Sequence, residues 1–153
     1  MATTIWRTTV DGVLGLRPTV ELVQDIADLL DISTKRARTV YDTAVSTFSR
    51  QVAQVGTTGE PSEPFIYVGP VDGKVREFCL DHVGKVYSRA RIDDMDNGQL
   101  PNVFLTGGGY NCRHQWRRVS RLDTELLALV DTGEVEPGVK RRLDDSELVG
   151  AGA

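Results

Sequence analysis

Cys79-Leu-Asp-His82 and Cys112-Arg-His114 hold every cysteine and every histidine of this 153-residue chain. Two thiols and two imidazoles in two short pairs are the donor set of a structural zinc ion, which takes such ligands in a closed tetrahedral shell. The spacings are compatible with one site. Two residues between Cys79 and His82 let a tight turn aim both side chains at one point. In an extended segment Cys112 and His114 share a face, because side chains two apart lie on the same side of a strand. Two other readings use the same residues. The thiols pack as small hydrophobes with the histidines hydrogen-bonded around a β core, or they form a disulfide where the compartment is oxidising. Met1-Ala-Thr-Thr-Ile-Trp-Arg7 lacks the basic stretch and apolar run of a secretory leader, which weighs against the disulfide.

Working outward from these pairs, the chain divides by composition and period. Phe65-Ile-Tyr-Val68, Val86-Tyr87 and Val103-Phe-Leu105 are short β-prone runs between turn signals, so residues 65–121 read as a small β-rich Cys/His module. Before it, Gly56-Thr-Thr-Gly-Glu-Pro-Ser-Glu-Pro64 is made of residues that resist regular hydrogen bonding, and 57–64 reads as a linker. Residues 18–56 are helical. Pro18 precedes Leu22, Val23, Ile26, Ala27, Leu29 and Leu30 at mostly helical steps. Ser33 or Thr34 then offers a cap to a longer helix with Ala37, Val40, Tyr41, Ala44, Val45, Phe48, Val52 and Val55 recurring at three- and four-residue steps. Residues 1–17 show no steady period and read as an extended arm with Trp6, Leu14 and Leu16 as anchors for a partner. Residues 122–153 read as a helix over Asp123–Asp131 followed by a flexible tail from Asp144. The predicted class is α+β, with N-terminal helices followed by the Cys2His2 module.

Within the module, Tyr67-Val-Gly-Pro-Val-Asp-Gly-Lys-Val-Arg-Glu-Phe-Cys79, His82-Val-Gly-Lys-Val-Tyr87, Asn97-Gly98 and Gly107-Gly-Gly-Tyr-Asn-Cys-Arg-His-Gln-Trp116 occur in that order. This series resembles the head-morphogenesis, or minor head, proteins of tailed bacteriophages, the group related to the F protein of phage Mu. The helix over 37–55 resembles the one that comes before the module in such proteins, and the chain resembles a short form of the family. The resemblance implies a virion or procapsid component, made in the host cytoplasm and built into the particle as part of an oligomeric assembly. Its partners would be portal, major capsid or connector proteins, with no catalytic activity common to the family.

The residues between these blocks carry their own expectations. Asp72 and Arg76 are placed to pair across a turn, and Arg113 should face away from its neighbours Cys112 and His114. Gly107-Gly-Gly109 lacks the pattern of a phosphate loop and reads as a turn with positive φ or a close approach to the site. Asp93-Asp-Met-Asp96 lacks the spacing of a calcium loop and reads as a turn. No H-E-x-x-H or H-x-E arrangement supplies a general base, so catalysis is not expected. The alternative function is a zinc-stabilised nucleic-acid-binding module that contacts packaged DNA, since Arg113, Arg117, Arg118 and Arg121 gather beside Trp116. A net charge of −4 confines such binding to a local patch. No apolar run reaches the length of a membrane span.

Overall fold

Three helices form the first half of the computed structural model, which describes the backbone of residues 2–150 and the side chains of 3–145. They are α1 (Ala2–Val13), α2 (Thr19–Leu30) and α3 (Thr34–Ala53). Pro18 starts α2 with φ −60°, where its missing N–H costs nothing, and Asp31 ends it in the left-handed region at φ 51°. Ser33 then caps α3, its hydroxyl accepting from Arg36 N–H at 3.4 Å. Leu22, Val23, Ile26 and Ala27 of α2 pack on Ala37 and Tyr41 of α3 as one buried cluster.

The expected extended arm is instead the helix α1. Its inward face is Ile5, Thr8, Thr9 and Gly12, at helical steps but nearly without large apolar residues, so the hydrophobic period is silent. Thr9 is fully buried and satisfies its hydroxyl on the Ile5 carbonyl at 2.9 Å. Gly12 lets Tyr41 close in, since a Cβ there would lie 2.0 Å from the phenolic oxygen. Trp6 meets Phe48 of α3 edge-on at 5.4 Å.

The second half contains β1 (Pro64–Val68), α4 (Glu77–His82), β2 (Val86–Ser88), α5 (Arg89–Asp93), α6 (Val103–Thr106), β3 (Gln115–Arg118), α7 (Thr124–Ala128) and α8 (Pro137–Gly150). The strands make one antiparallel sheet in the order β2-β1-β3, with Phe65 opposite Tyr87 and Tyr67 opposite Trp116. Alternation sorts their side chains into two layers. Phe65, Tyr67, Tyr87 and Trp116 face a core that includes Cys79, Ile92, Val103, Phe104 and Cys112. Ile66 and Val86 face the other way, with Val119 and the helical residues Leu126, Leu127 and Leu129. Both outer strands are covered, which removes the hazard of open edges. Asp131 N–H donates to the Val86 carbonyl at 2.9 Å on one side, and Gln54 of the α3 C-cap donates to the Trp116 carbonyl at 3.1 Å on the other.

Several local expectations change. Val103-Phe-Leu105 is a turn of helix rather than a strand, capped by Asn102 and fixed by Trp116 Nε1–H, which donates to the Val103 carbonyl at 3.1 Å. Short apolar runs between turns carry no period to separate the two forms. Cys112-Arg-His114 precedes β3 instead of lying in a strand. The linker is tied down by the buried Glu63, which accepts from Thr58 and Gly59 N–H and pairs with Arg118 at 2.7 Å. The tail from Asp144 continues α8 to Gly150, and residues 151–153 lie outside the described residues. Of the helix expected over Asp123–Asp131, only Thr124–Ala128 is helical, as α7 capped by Asp123, and the chain turns from Leu129.

Candidate metal centre

Cys79 projects from α4, and Cys112 and His114 come from the turn that leads into β3. Their ligand atoms all lie within 4.8 Å of one another, and all three residues are buried. Cys79 Sγ and Cys112 Sγ are 3.7 Å apart, beyond bonding distance, and both thiols are free. The Tyr67 hydroxyl from β1 sits 3.6 Å from the first sulfur and 3.5 Å from the second. The His114 ring stacks on Tyr67 at 5.3 Å and 19°, and its Nε2 is buried without a hydrogen-bond partner. Burying such a nitrogen unpaired is costly.

The electrostatics divide the two thiols. The hydrogen bond shared with Cys79 pushes Cys112 down, helped by the His114 side chain, the Tyr67 hydroxyl and the Gly108 N–H at 3.1 Å, while the same sharing and burial push Cys79 up. Of the two thiols, Cys112 is the one whose ionised form its surroundings favour. Burial and then the two sulfurs push Tyr67 far up, which keeps it a phenol that donates to sulfur.

Backbone without side chains lets these groups meet. A Cβ on Gly108 would lie 2.4 Å from Cys79 Sγ, and one on Gly69 would lie 2.3 Å from the His114 ring. Gly107 and Gly109 adopt φ 58° and 95°, as a turn pressed against the site requires. Asn97 links that turn to the Asp93–Gly98 loop, donating to the Gly107 carbonyl at 2.7 Å. Gly69→Ala is therefore expected to lower stability by about 1–3 kcal/mol, read by urea denaturation. Gly73→Ala, with nothing within 4 Å of the added Cβ, is its neutral control.

His82 falls outside the ligand group. His82 turns its ring onto Phe78 at 4.3 Å and Tyr87 at 5.6 Å, although residues three apart on a helix share a face. Burial pushes its pKa down, and its Nδ1 is buried without a partner. The expected pairing of Asp72 with Arg76 also changes. Asp72 takes Arg113 in two bonds of 2.6 and 2.7 Å, and Arg76 donates to the Gly108 carbonyl at 2.8 Å. Arg113 does face away from Cys112 and His114, and its hydrogen bonds hold Asp72 well below the usual carboxylate range.

The residue that sequence reasoning missed is Arg50, near the end of α3 and only 4% exposed. Its guanidinium donates to the carbonyls of Cys112, His114 (2.9 and 3.0 Å) and Leu105 (3.2 Å). The helical half thereby grips the backbone that carries two of the three ligands. Its place one helical turn before the turn-rich stretch, in a helix with a clear apolar face, was the available signal.

The four arginines of the nucleic-acid reading are dispersed. Arg113 is paired to Asp72 and Arg118 to Glu63, while Arg117 and Arg118 leave opposite sides of β3. Arg117 lines an open cleft of about 820 Å³ with Arg141 and Arg142, and Arg121 is exposed near Arg118. Trp116 is 2% exposed and belongs to the core. Trp6, Leu14 and Leu16 remain largely exposed, on and just after α1. No helix of the described residues is long and apolar enough to cross a membrane. Comparison with protein-family models, with curated proteins and with solved structures returns no match to the chain.

Proposed function

We propose that the chain is an assembly component of a tailed-phage head or portal vertex, acting through protein contacts, with a structural zinc ion held by Cys79, Cys112 and His114. The observation that supports this reading is convergence. Asp72, Arg76, Cys79, Asn97, Gly107–Gly109, Cys112, Arg113, His114 and Trp116, the residues of the head-protein resemblance, gather on one small centre and its supports. Val68 and Gly69 are the residues of the resemblance that line the wide cleft beside α8. A module most of whose marked residues serve its own rigidity suits a scaffold for contacts.

The donor set supplies two sulfurs and one imidazole, three of the four tetrahedral positions of zinc, and leaves the fourth to water or a further group. Two Zn–S bonds of about 2.3 Å at tetrahedral angles set their sulfurs about 3.8 Å apart, and Cys79 and Cys112 stand at 3.7 Å. One thiolate is already favoured, and the free imidazole nitrogen supplies a third donor. A small cleft of about 290 Å³ lined by Lys74, Arg76, Cys79 and His114 gives the ion a route in. Bound zinc would supply a cross-link between α4 and the turn before β3. The protein's own part is to hold the ligands: Tyr67 donates to sulfur, Gly108 N–H steadies Cys112, and Arg50 fixes the carbonyls on either side of Arg113.

Leu14 and Leu16, largely exposed, and the half-exposed outer part of Trp6, whose ring also meets Phe48, are the partner-facing surface in this reading. Leu14→Asp with Leu16→Asp should leave the thermal midpoint within about 2–4 °C of the parent and sharply reduce the amount of chain recovered in purified particles. Unchanged incorporation of that variant would remove these residues from the partner surface, and absence of the parent chain from particles would remove the head-assembly reading.

A further inference from the structure

Along α8, Arg141-Arg142-Leu143-Asp144-Asp145 reads as two positive charges, one apolar residue and two negative charges. The four charged side chains are exposed, those of Arg141 and Arg142 on the border of the open cleft that Asp123, Glu125 and Glu136 also line. Among the described residues none of them is in an ion pair, and Arg141 makes only a long 3.4 Å contact to the Pro137 carbonyl. At 100° per residue they occupy one continuous face, with the half-buried Leu143 on the opposite, inward side. Basic residues ahead of acidic ones is the order that i, i+4 pairing along a helix favours least. The helix does not neutralise itself.

Turned end for end, this face is its own complement. A two-fold axis at the level of Leu143 sets Arg141 against Asp145 and Arg142 against Asp144 of a second copy, and the same pairs recur by symmetry. We propose that the exposed face of α8 is the contact through which two copies of the chain pair, antiparallel, about a two-fold axis. Charge complementarity selects this occupant: a wholly acidic or wholly basic partner would leave half of the face opposed by its own sign. Exposed ion pairs are individually weak and screened by salt, so the contact gains importance where copies are concentrated by an assembly. It stands apart from the metal centre, since none of these residues touches Cys79, Cys112 or His114.

Sedimentation equilibrium of the full chain tests it. The expected result is a concentration-dependent dimer at low salt that weakens about ten-fold or more by about 0.5 M salt. Arg141→Asp with Arg142→Asp makes the face wholly acidic, and Asp144→Arg with Asp145→Arg makes it wholly basic. Each variant alone should self-associate at least about ten-fold more weakly, and an equimolar mixture should regain the dimer. The chain carrying all four exchanges restores the palindrome and should pair with itself, which keeps the test decisive if either half-exchanged variant folds poorly. A parent chain that stays monomeric, a dimer indifferent to the exchanges, or a four-fold variant that does not pair overturns the proposal.

Discussion

Arg50→Ala is expected to cost about 3–5 kcal/mol of stability, among the largest losses any single side chain of this protein can cause. Each term follows from the contacts. The substitution strands the carbonyls of Cys112, His114 and Leu105, which Arg50 satisfies from a position 4% exposed, and each unsatisfied buried acceptor costs about 1–3 kcal/mol. It also empties the volume of a long side chain, although water entering the gap recovers part of the loss. Arg50→Lys should rescue little, because one ammonium cannot reproduce the planar fork that spans these acceptors. Urea denaturation of both variants is the check. A loss below about 1 kcal/mol for Arg50→Ala would mean that the two halves are not joined through this residue.

Loss of metal on substitution of the ligands is the second large effect. Cys79→Ser, Cys112→Ser and His114→Ala should each abolish stoichiometric zinc and, with the metal, a folding contribution that reaches about 10 kcal/mol in small zinc modules. His82→Ala should retain one zinc per chain, because that ring packs on Phe78 and Tyr87 outside the ligand group. This contrast separates the three-ligand centre from the four-residue set that spacing alone suggests. Zinc lost from the His82 variant would reinstate His82 as a ligand, and zinc kept by the Cys112 variant would dismiss the centre. Tyr67→Phe gives a graded case: the hydroxyl that lies within 3.6 Å of both sulfurs is removed, and a support of this kind is worth about 10–100-fold in metal affinity.

Where local chemistry decided the structure, the sequence was sufficient. Ser33 and the Ala37–Phe48 period set α3, Phe65–Val68 set the central strand, and the three glycines announced a close backbone approach. The association of Cys79, Cys112 and His114 followed from residue type and clustering. The misses share a different cause. α1 buries threonines and a glycine, so its inward face carries no hydrophobic signal, and its helix is decided by the groove that α3 offers. His82 depended on which way its ring packs, and its contacts with Phe78 of α4 and Tyr87 of β2 are tertiary facts that the spacing of Cys79-Leu-Asp-His82 does not carry. Arg50 acts on carbonyls more than fifty positions away, and backbone acceptors leave no mark in a list of residue types.

Metal content measured together with thermal unfolding, on protein purified without chelators and then treated with a strong one, tests the three-ligand centre most directly. The predicted result is one zinc per chain, removed by the chelator together with a loss of at least about 10 °C in thermal midpoint. Protein that carries no zinc, takes none up when it is supplied, and melts at the same temperature with and without chelator would contradict the account and leave Cys79, Cys112 and His114 as packed core residues.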